Sequence, residues 1–435
     1  MKFRILASLT AISVLVLTLP TINAQNQSQS IRAPYFFVTL GTLGGTVNSP
    51  NSINDIGWIT GGADLAGDND EHAALWLYGS VHDLGTLGGP NSAVLWPVHN
   101  ETGLIAGVSD TTISDPLGEV WSCGAFLPAS HVGHTCVGFL WQNGIMAGLP
   151  TLGGNNGFAT GVNDSGVTVG WAETSYHDPT CVAPQVLQFL PVTYGPKQGQ
   201  IQALPTLSGD SDGAATAIND KGQIVGISGA CGAAVGGVSA THAVLWQNGA
   251  VQQLGTLGGS ANNTPMIISP NGLIAGFSDL MGDEDGANPN FHAAFWTKTD
   301  GSAPLDLGVL PGDYFSEATG INNRRQIVGE SCNSSFTLCT AILWQNGDMI
   351  DLNSVVPHGS LYLFYANDIN SSGEITGVAL NQETGELVGY LAIPTSGVTE
   401  VTVPQSKMDV APRVLLPASA SQQMMKKFGL AKSGK

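Results

Sequence analysis

The heptapeptide DLGTLGG occupies residues 83–89, and close copies stand at 39–45 (TLGTLGG) and 253–259 (QLGTLGG). A single glycine-rich run can cradle a phosphate, but a phosphate-binding loop carries a lysine, and none of these copies has one nearby. Repetition at distant positions instead indicates a repeated structural unit, because internal periods of about 20–50 residues are typical of solenoids, propellers and arrays.

Two further patterns recur between the heptapeptides, and both predict β-hairpins. The first is represented by INDKGQIVG (218–226), in which Asn, Asp and Gly favour a tight turn between two apolar runs. The second is HAVLW (242–246), an apolar run followed by the polar turn QNG and a run ending in QLG. Each unit therefore has four strands: A before Ile-Asn, B after the first turn, C at the Trp motif and D before the next link.

The copies of the glycine-rich link and the split ends of the repeat predict a closed ring. The links begin at Leu40, Leu84, Leu149, Leu204, Leu254, Leu307 and Leu352. Residues 34–45 supply a strand D with no preceding A, B or C, and residues 365–393 supply A, B and C with no D. The sequence thus predicts an all-β, seven-bladed β-propeller of four-stranded blades, in which residues 34–40 complete the last blade and remove exposed sheet edges.

The chain divides into three parts. Residues 1–24 combine a basic start, the apolar run 5–19 and a small residue at a break, which predicts a cleaved secretory signal. Residues 34–396 form the repeat domain, and 397–435 form a proline-containing linker and a basic tail. We expect disorder in the basic tail, 418–435, with a short helix docked on the propeller or on an anionic cell surface as the alternative.

The charge of the chain favours some partners over others. Residues 25–396 hold 6 basic and 31 acidic residues, so nucleic acid and anionic lipid should be repelled. No apolar stretch after the signal is long enough to span a bilayer. We expect an exported monomer, extracellular or periplasmic, whose partner is a protein or a neutral glycan.

The repeated strings resemble the HAF-repeat family of probable extracellular proteins, named for a His-Ala-Phe motif. HAVLW (242–246), QLGTLGG (253–259) and INDKGQIVG (218–226) carry the resemblance, which covers residues 34–393. The sequence departs from the family where QVLQFL (185–190) replaces the motif in blade three. The resemblance implies secretion and repetition, and it implies no established reaction.

The six cysteines all fall in or beside the B–C connections, and an even number in an exported chain favours disulfides. The predicted bonds are Cys123–Cys136, Cys181–Cys231 and Cys332–Cys339. A zinc site using Cys123, His131, His134 and Cys136 is the alternative for the first pair, although the spacing is not that of a standard zinc finger.

The B–C and D–A connections lie at one end of the ring, which we call the loop face, and we expect the binding site there because these loops vary in length. The candidate binding residues are Asp68, Asp70, Glu71, Asp110, Asp115, Glu119, Asp279, Asp283, Glu284 and Asp285. Acidic loops also suggest calcium, with Asp283 and Asp285 as ligands, although no cofactor is required. The repeated His72, His242 and His292 lie in different blades, so they are expected to be structural.

We therefore expect a non-catalytic binding or scaffold protein. The chain lacks a Gly-x-Ser-x-Gly elbow and a His-Glu-x-x-His motif. Its only arginines between 25 and 396 are Arg32, Arg324 and Arg325, which cannot form the carboxylate-binding triad of sialidase-type propellers. The alternative is a carbohydrate-active hydrolase that uses paired acidic residues of the loops.

Overall fold

The computed structural model shows a seven-bladed β-propeller, as the repeats predict. The described residues are 34–119, 121–124, 126–128, 130, 133–232, 240–282, 289–357, 359–395 and 412–421. Within them, seven four-stranded antiparallel sheets follow one another along the chain. The predicted signal lies outside the described residues, and no helix in the described part has the length and apolar character needed to cross a bilayer.

The first four blades are built from consecutive strands in the order A, B, C, D. Blade one comprises β2 (Gly44–Ile53), β3 (Ile59–Leu65), β4 (Glu71–Leu77) and β5 (Ser80–Asp83). Blade two comprises β6 (Gly88–Ala93), β7 (Ile105–Ser114), β8 (His134–Gln142) and β9 (Ile145–Gly148), with the helical turn α1 (Trp121–Gly124) in its B–C loop. Blade three comprises β10 (Gly153–Val162), β11 (Thr168–His177), β12 (Leu187–Tyr194) and β13 (Ile201–Ala203). Blade four comprises β14 (Asp212–Ile218), β15 (Ile224–Gly229), β16 (His242–Gln247) and β17 (Ala250–Gln253).

The remaining blades repeat this order until the ring closes. Blade five comprises β18 (Gly258–Ile268), β19 (Ile274–Leu280), β20 (Phe291–Trp296) and β21 (Leu305–Asp306). Blade six comprises β22 (Phe315–Ile321), β23 (Ile327–Cys332), β24 (Cys339–Gln345) and β25 (Asp348–Asp351), followed by a 3₁₀ turn (Leu352–Ser354). Blade seven comprises β26 (Leu361–Ile369), β27 (Ile375–Asn381), β28 (Leu387–Pro394) and β1 (Tyr35–Thr39).

The predicted closure of the ring is confirmed by the pairing of the chain's first described strand with its last. β1 lies antiparallel beside β28, with Tyr35 opposite Pro394 and Thr39 opposite Tyr390. The Leu40 N–H continues the pairing to the Gly389 carbonyl at 2.8 Å. The last blade therefore acquires its outer strand from the start of the propeller, which leaves no half-built sheet.

The asparagine of the Ile-Asn turns connects neighbouring blades. The Asn54 side-chain amide donates to the Asn100 carbonyl at 2.8 Å, and Asn219 donates to Ser269 at 3.1 Å. Asn370 donates to Asn54 at 3.1 Å, which joins blade seven to blade one. Because the same side chain also holds its own turn through Oδ1, one residue both shapes a hairpin and fixes the spacing between blades.

The two terminal glycines of the link are required for different geometric reasons. The first adopts positive φ in several copies, for example +108° at Gly44 and +118° at Gly258, which disfavours any L side chain. The second lies against strand B of its own blade. A Cβ at Gly45 would stand 2.6 Å from the Asp64 Cβ, and one at Gly259 would stand 2.4 Å from the Asp279 Cβ.

In blades one, four and five, the repeated tryptophan holds the link against its blade. The Trp76 indole N–H donates to the Gly41 carbonyl at 2.7 Å, and the Trp296 indole N–H donates to the Gly255 carbonyl at 2.8 Å. Both tryptophans are at least 95% buried. The Trp motif and the glycine-rich link therefore recur together because they are in direct contact.

Replacing Gly45 by Ala should lower the free energy of unfolding by about 2–3 kcal/mol, because the new methyl group would overlap the Leu65 carbonyl and the Asp64 Cβ. Gly41→Ala is the matched control in the same link, since its methyl group would have only the Val81 Cγ1 near it, at 3.9 Å. Urea denaturation of both variants tests this. Equal stability of the two variants would contradict the proposed role of the second glycine.

Candidate functional site

All three predicted disulfides are present, and they brace the loop face. Cys123–Cys136 closes the long loop of blade two, and Cys332–Cys339 joins the ends of β23 and β24. Cys181–Cys231 connects the loops of blades three and four. Since the sulfurs of Cys123 and Cys136 are bonded to each other, the zinc alternative at this pair is excluded. The same reason leaves Asp212, which lies beside Cys181 and Cys231, without thiolate co-ligands.

The repeated histidines are structural, as expected. His72 bonds Asp83 at 2.9 Å and His292 bonds Asp306 at 2.9 Å, in both cases between strands C and D of one blade. His242 bonds Asp210 at 2.8 Å, where Asp210 belongs to the link before blade four. These side chains are therefore used in fixing individual blades and do not converge on one site.

The predicted acidic residues of blade one lie close together at the loop face. Asp68 accepts hydrogen bonds from the Thr46 N–H at 2.7 Å and from its hydroxyl at 3.0 Å, which ties the B–C loop to the link. Burial, together with the neighbouring Asp64 carboxylate, raises the pKa of Glu71 to about 8. Asp70 is half-buried in the same loop.

Three other predicted residues are fully buried, in contrast to the solvent-facing charges that we expected: Asp110, Glu119 and Asp279. Glu119 Oε1 accepts the N–H groups of Val186 and Leu187, at 2.9 and 2.6 Å, and so joins blade two to blade three. The other two are held in the same manner. Asp110 accepts from Asn91 Nδ2 at 3.0 Å, and Asp279 accepts from the N–H groups of Ala261 and Asn262 at 3.0 and 2.5 Å.

Asp115 also serves the fold, because it accepts the N–H groups of Leu117 and Glu119 at 2.9 and 3.0 Å and shapes the start of the long blade-two loop. Asp283, Glu284 and Asp285 lie outside the described residues, so their assignment and the calcium site remain predictions.

Glu173 is a buried carboxyl group that sequence reasoning missed. Its Oε2 accepts the N–H groups of Asn155 and Asn156 at 3.0 and 2.8 Å, and its Oε1 accepts from Gln185 at 3.1 Å. Burial and then the nearby Glu119 carboxylate raise the pKa of Glu173 to about 7. Glu173 occupies the position in strand B that Asp64 and Asp279 occupy in their blades, and it packs on the second glycine of the link. This repeated acidic position is the sequence signal that could have identified it.

Exposed apolar side chains mark a part of the loop face that the acidic pattern did not indicate. Ile113 is the last residue but one of β7 and is 63% exposed, and Tyr176 occupies the equivalent position of β11 in the next blade and is 57% exposed. Leu117 and Val182, in the loops that follow these strands, are 40% and 68% exposed. We call these four residues the apolar rim; its members come from blades two and three, whose loops carry two of the three disulfides.

The opposite end of the ring, the turn face, contains a cavity of about 250 Å³ lined by the A–B turns of all seven blades. Each carboxylate of its acidic members accepts a backbone N–H of the preceding blade, for example Glu101 from Asp55 at 2.9 Å and Asp164 from Glu101 at 2.7 Å. His99 lies in this cavity, 2.8 Å from the buried Asp368 carboxylate. Burial lowers the pKa of His99, but Asp368 outweighs this effect and holds that pKa above its usual value.

The comparisons with known proteins add no family. No family model and no curated protein matches the chain. Among solved structures, the chain is similar to one in "Crystal Structure of Mitotic Checkpoint Complex", with a TM-score of 0.35 and 11% identity. That alignment covers 89% of this chain and 99% of the other, and at this TM-score the likeness carries no argument.

The chain should be more stable at pH 5 than at pH 7.5, because Glu173 binds a proton more tightly in the folded state than in the unfolded state. Its pKa rises from 4.5 to about 7, so the folded chain holds more protons between these values and the free energy of unfolding falls as pH rises through them. The shift corresponds to at most about 3 kcal/mol. The raised pKa values of Glu71 and Asp212 act in the same direction.

Urea denaturation at both pH values measures this dependence. Glu173→Gln should reduce the difference in stability between pH 5 and 7.5, whatever its effect at either pH alone. Glu383→Gln changes an exposed glutamate and is the control. An unchanged difference in Glu173→Gln would remove Glu173 as a source of the pH dependence.

Proposed function

We propose that this chain is an exported, non-catalytic binding or scaffold protein that binds a protein partner through the loop face, at the apolar rim of blades two and three. The observation that carries the proposal is the pair Ile113 and Tyr176, which are exposed at equivalent positions of adjacent blades. Exposed apolar side chains in adjacent loops of a rigid scaffold are typical of interaction sites.

The disulfides support a preformed site. Cys123–Cys136 restrains the loop that carries Leu117, and Cys181–Cys231 restrains the loop that carries Val182. A loop that is already ordered loses less conformational entropy when a partner binds, so less of the interaction energy is used in ordering it.

The character of the rim favours a protein over a glycan. Three of its four members are aliphatic, and only Tyr176 offers an aromatic ring for stacking against a sugar. The excess of acidic residues in 25–396 would steer a cationic partner toward the ring.

Export rests on the cysteines and on the N-terminal sequence. All six cysteines are in disulfides, and such bonds persist in oxidising compartments. The HAF-repeat resemblance carries the same expectation. We therefore propose an extracellular or periplasmic location for a monomer.

Glu119 and Glu173 give the hydrolase alternative no support. Glu119 and Glu173 are buried, and each uses carboxylate oxygens to accept backbone N–H groups. Groups engaged in this way hold loops in place and do not face a substrate.

The double variant Ile113→Ser, Tyr176→Ser should bind its partners at least about tenfold more weakly than the parent, because loss of central apolar contacts is costly at interfaces. The measurement is a pull-down of exported proteins with the mature chain, combined with a glycan array. Ile145→Ser is the control, because Ile145 is 71% exposed on the outer strand of blade two, away from the loop face. Equal capture by the double variant and the parent, or binding confined to glycans, would contradict the proposal.

Calcium at Asp283 and Asp285 is proposed as an addition to this function. If it binds, excess calcium should raise the melting temperature relative to chelator, since a ligand selective for the folded state stabilises it by mass action. The double variant Asp283→Asn, Asp285→Asn should lose the increase. Melting temperatures that are the same in calcium and in chelator would remove the calcium site.

A further inference from the structure

The described part of the C-terminal tail, 412–421, lies against blade six at the loop face. Arg413 donates two hydrogen bonds to the Asp313 carboxylate and two to the Thr340 hydroxyl. The Asp313 side chain is fully buried, and that of Arg413 is only 16% exposed. Residues 412–417, which the sequence assigned to the linker, are therefore docked on the propeller.

Blade six departs from the repeat at the residue that Arg413 contacts. In blade four, Asp210 accepts from the Ser228 hydroxyl at 2.6 Å and pairs with His242, the first residue of HAVLW. In blade six, Asp313 occupies the place of Asp210 and accepts from the Ser331 hydroxyl at 2.7 Å. The histidine, however, is replaced by Thr340, the first residue of TAILW.

The tail therefore supplies the cation that blade six lacks. A buried carboxylate without a cationic partner is costly, and a two-pronged guanidinium contact is among the strongest pairings available to it. The same Asp313 bonds raise the pKa of Arg413 against the opposing effect of burial, so the arginine stays charged in this site.

An apolar contact follows three residues after the arginine. Leu416 is 96% buried in the same apolar cluster as Phe336 and Tyr362, and its N–H donates to the Thr337 carbonyl at 2.9 Å. Ala420 is fully buried in that cluster, whereas Leu415 is 69% exposed. The segment thus contacts the propeller through Arg413, Leu416 and Ala420.

We propose that blade six carries a peptide-binding site for an arginine followed three residues later by leucine, and that the chain's own PRVLLP (412–417) is its resident ligand. The seven blades close without the tail, so its contacts are those of a ligand added to a finished ring. Residues 396–411 tether the segment to β28. Because the segment belongs to the same chain, its effective concentration at the site exceeds that of a free peptide, so a peptide from another chain enters only when it outcompetes the tail or when the tail is released.

The test uses the full chain with a protease recognition sequence in place of residues 400–405. After cleavage, the tail fragment should co-elute with the propeller in gel filtration at about 10 µM, and excess synthetic peptide of residues 410–421 should displace it. Arg413→Ala or Leu416→Asp should weaken retention at least about tenfold. Leu415→Ser is the control in the same segment, and it should leave retention unchanged.

Thr340→His provides a test that leaves the buried carboxylate paired. The introduced imidazole restores the arrangement of His242 and Asp210, so it should compete with Arg413 and weaken retention of the fragment while the melting temperature is preserved. Separation of the parent fragment at about 10 µM, retention of the Arg413→Ala fragment, or unchanged retention with Thr340→His would each overturn the proposal.

Discussion

The close approach of a link glycine to strand B of its own blade, at Gly45, Gly89, Gly154 and Gly259, is the contact on which the propeller depends. At Gly45, Gly154 and Gly259 there is no room for a Cβ, because an acidic residue of strand B lies within 2.4–2.6 Å of where that atom would be. This approach lets the Glu173 and Asp279 carboxylates accept N–H groups just beyond the link. The backbone N–H groups between one blade and the next therefore have carboxylate acceptors where they lack a strand partner. Buried backbone groups need such partners.

The same contact explains where part of the acidic charge of the chain is located. Carboxylates that serve the links and loops are buried, so part of the negative charge of the chain lies inside the fold. Burial raises the pKa values of Glu71, Glu173 and Asp212 toward neutrality, which makes stability depend on pH in the range where proteins are normally studied. The loop face also exposes apolar side chains, at Ile113 and Tyr176.

Blade six shows how a departure from the repeat motif can create a binding site. Where blade four closes the pair between Asp210 and His242 within the ring, blade six leaves Asp313 to be paired from outside the ring, by Arg413. The departure is one residue in an otherwise regular motif, yet it selects a cationic side chain. In this protein, a position that departs from the repeat therefore indicates a ligand contact, while the positions that follow the repeat indicate the architecture.

The sequence by itself determined the architecture: four strands to a blade, seven blades, closure by residues 34–40 and the three disulfides. These features depend on local turn chemistry and on repetition, and both are legible along the chain. Only the tertiary structure decided which side chains are buried, because the donors that bury them come from elsewhere. Glu119 is held by Val186 and Leu187 of the next blade, the turn-face cavity needs all seven turns, and Arg413 meets Asp313 across 100 residues. No local pattern encodes such distant partners, so the docked tail and the apolar rim emerge only when the ring is closed.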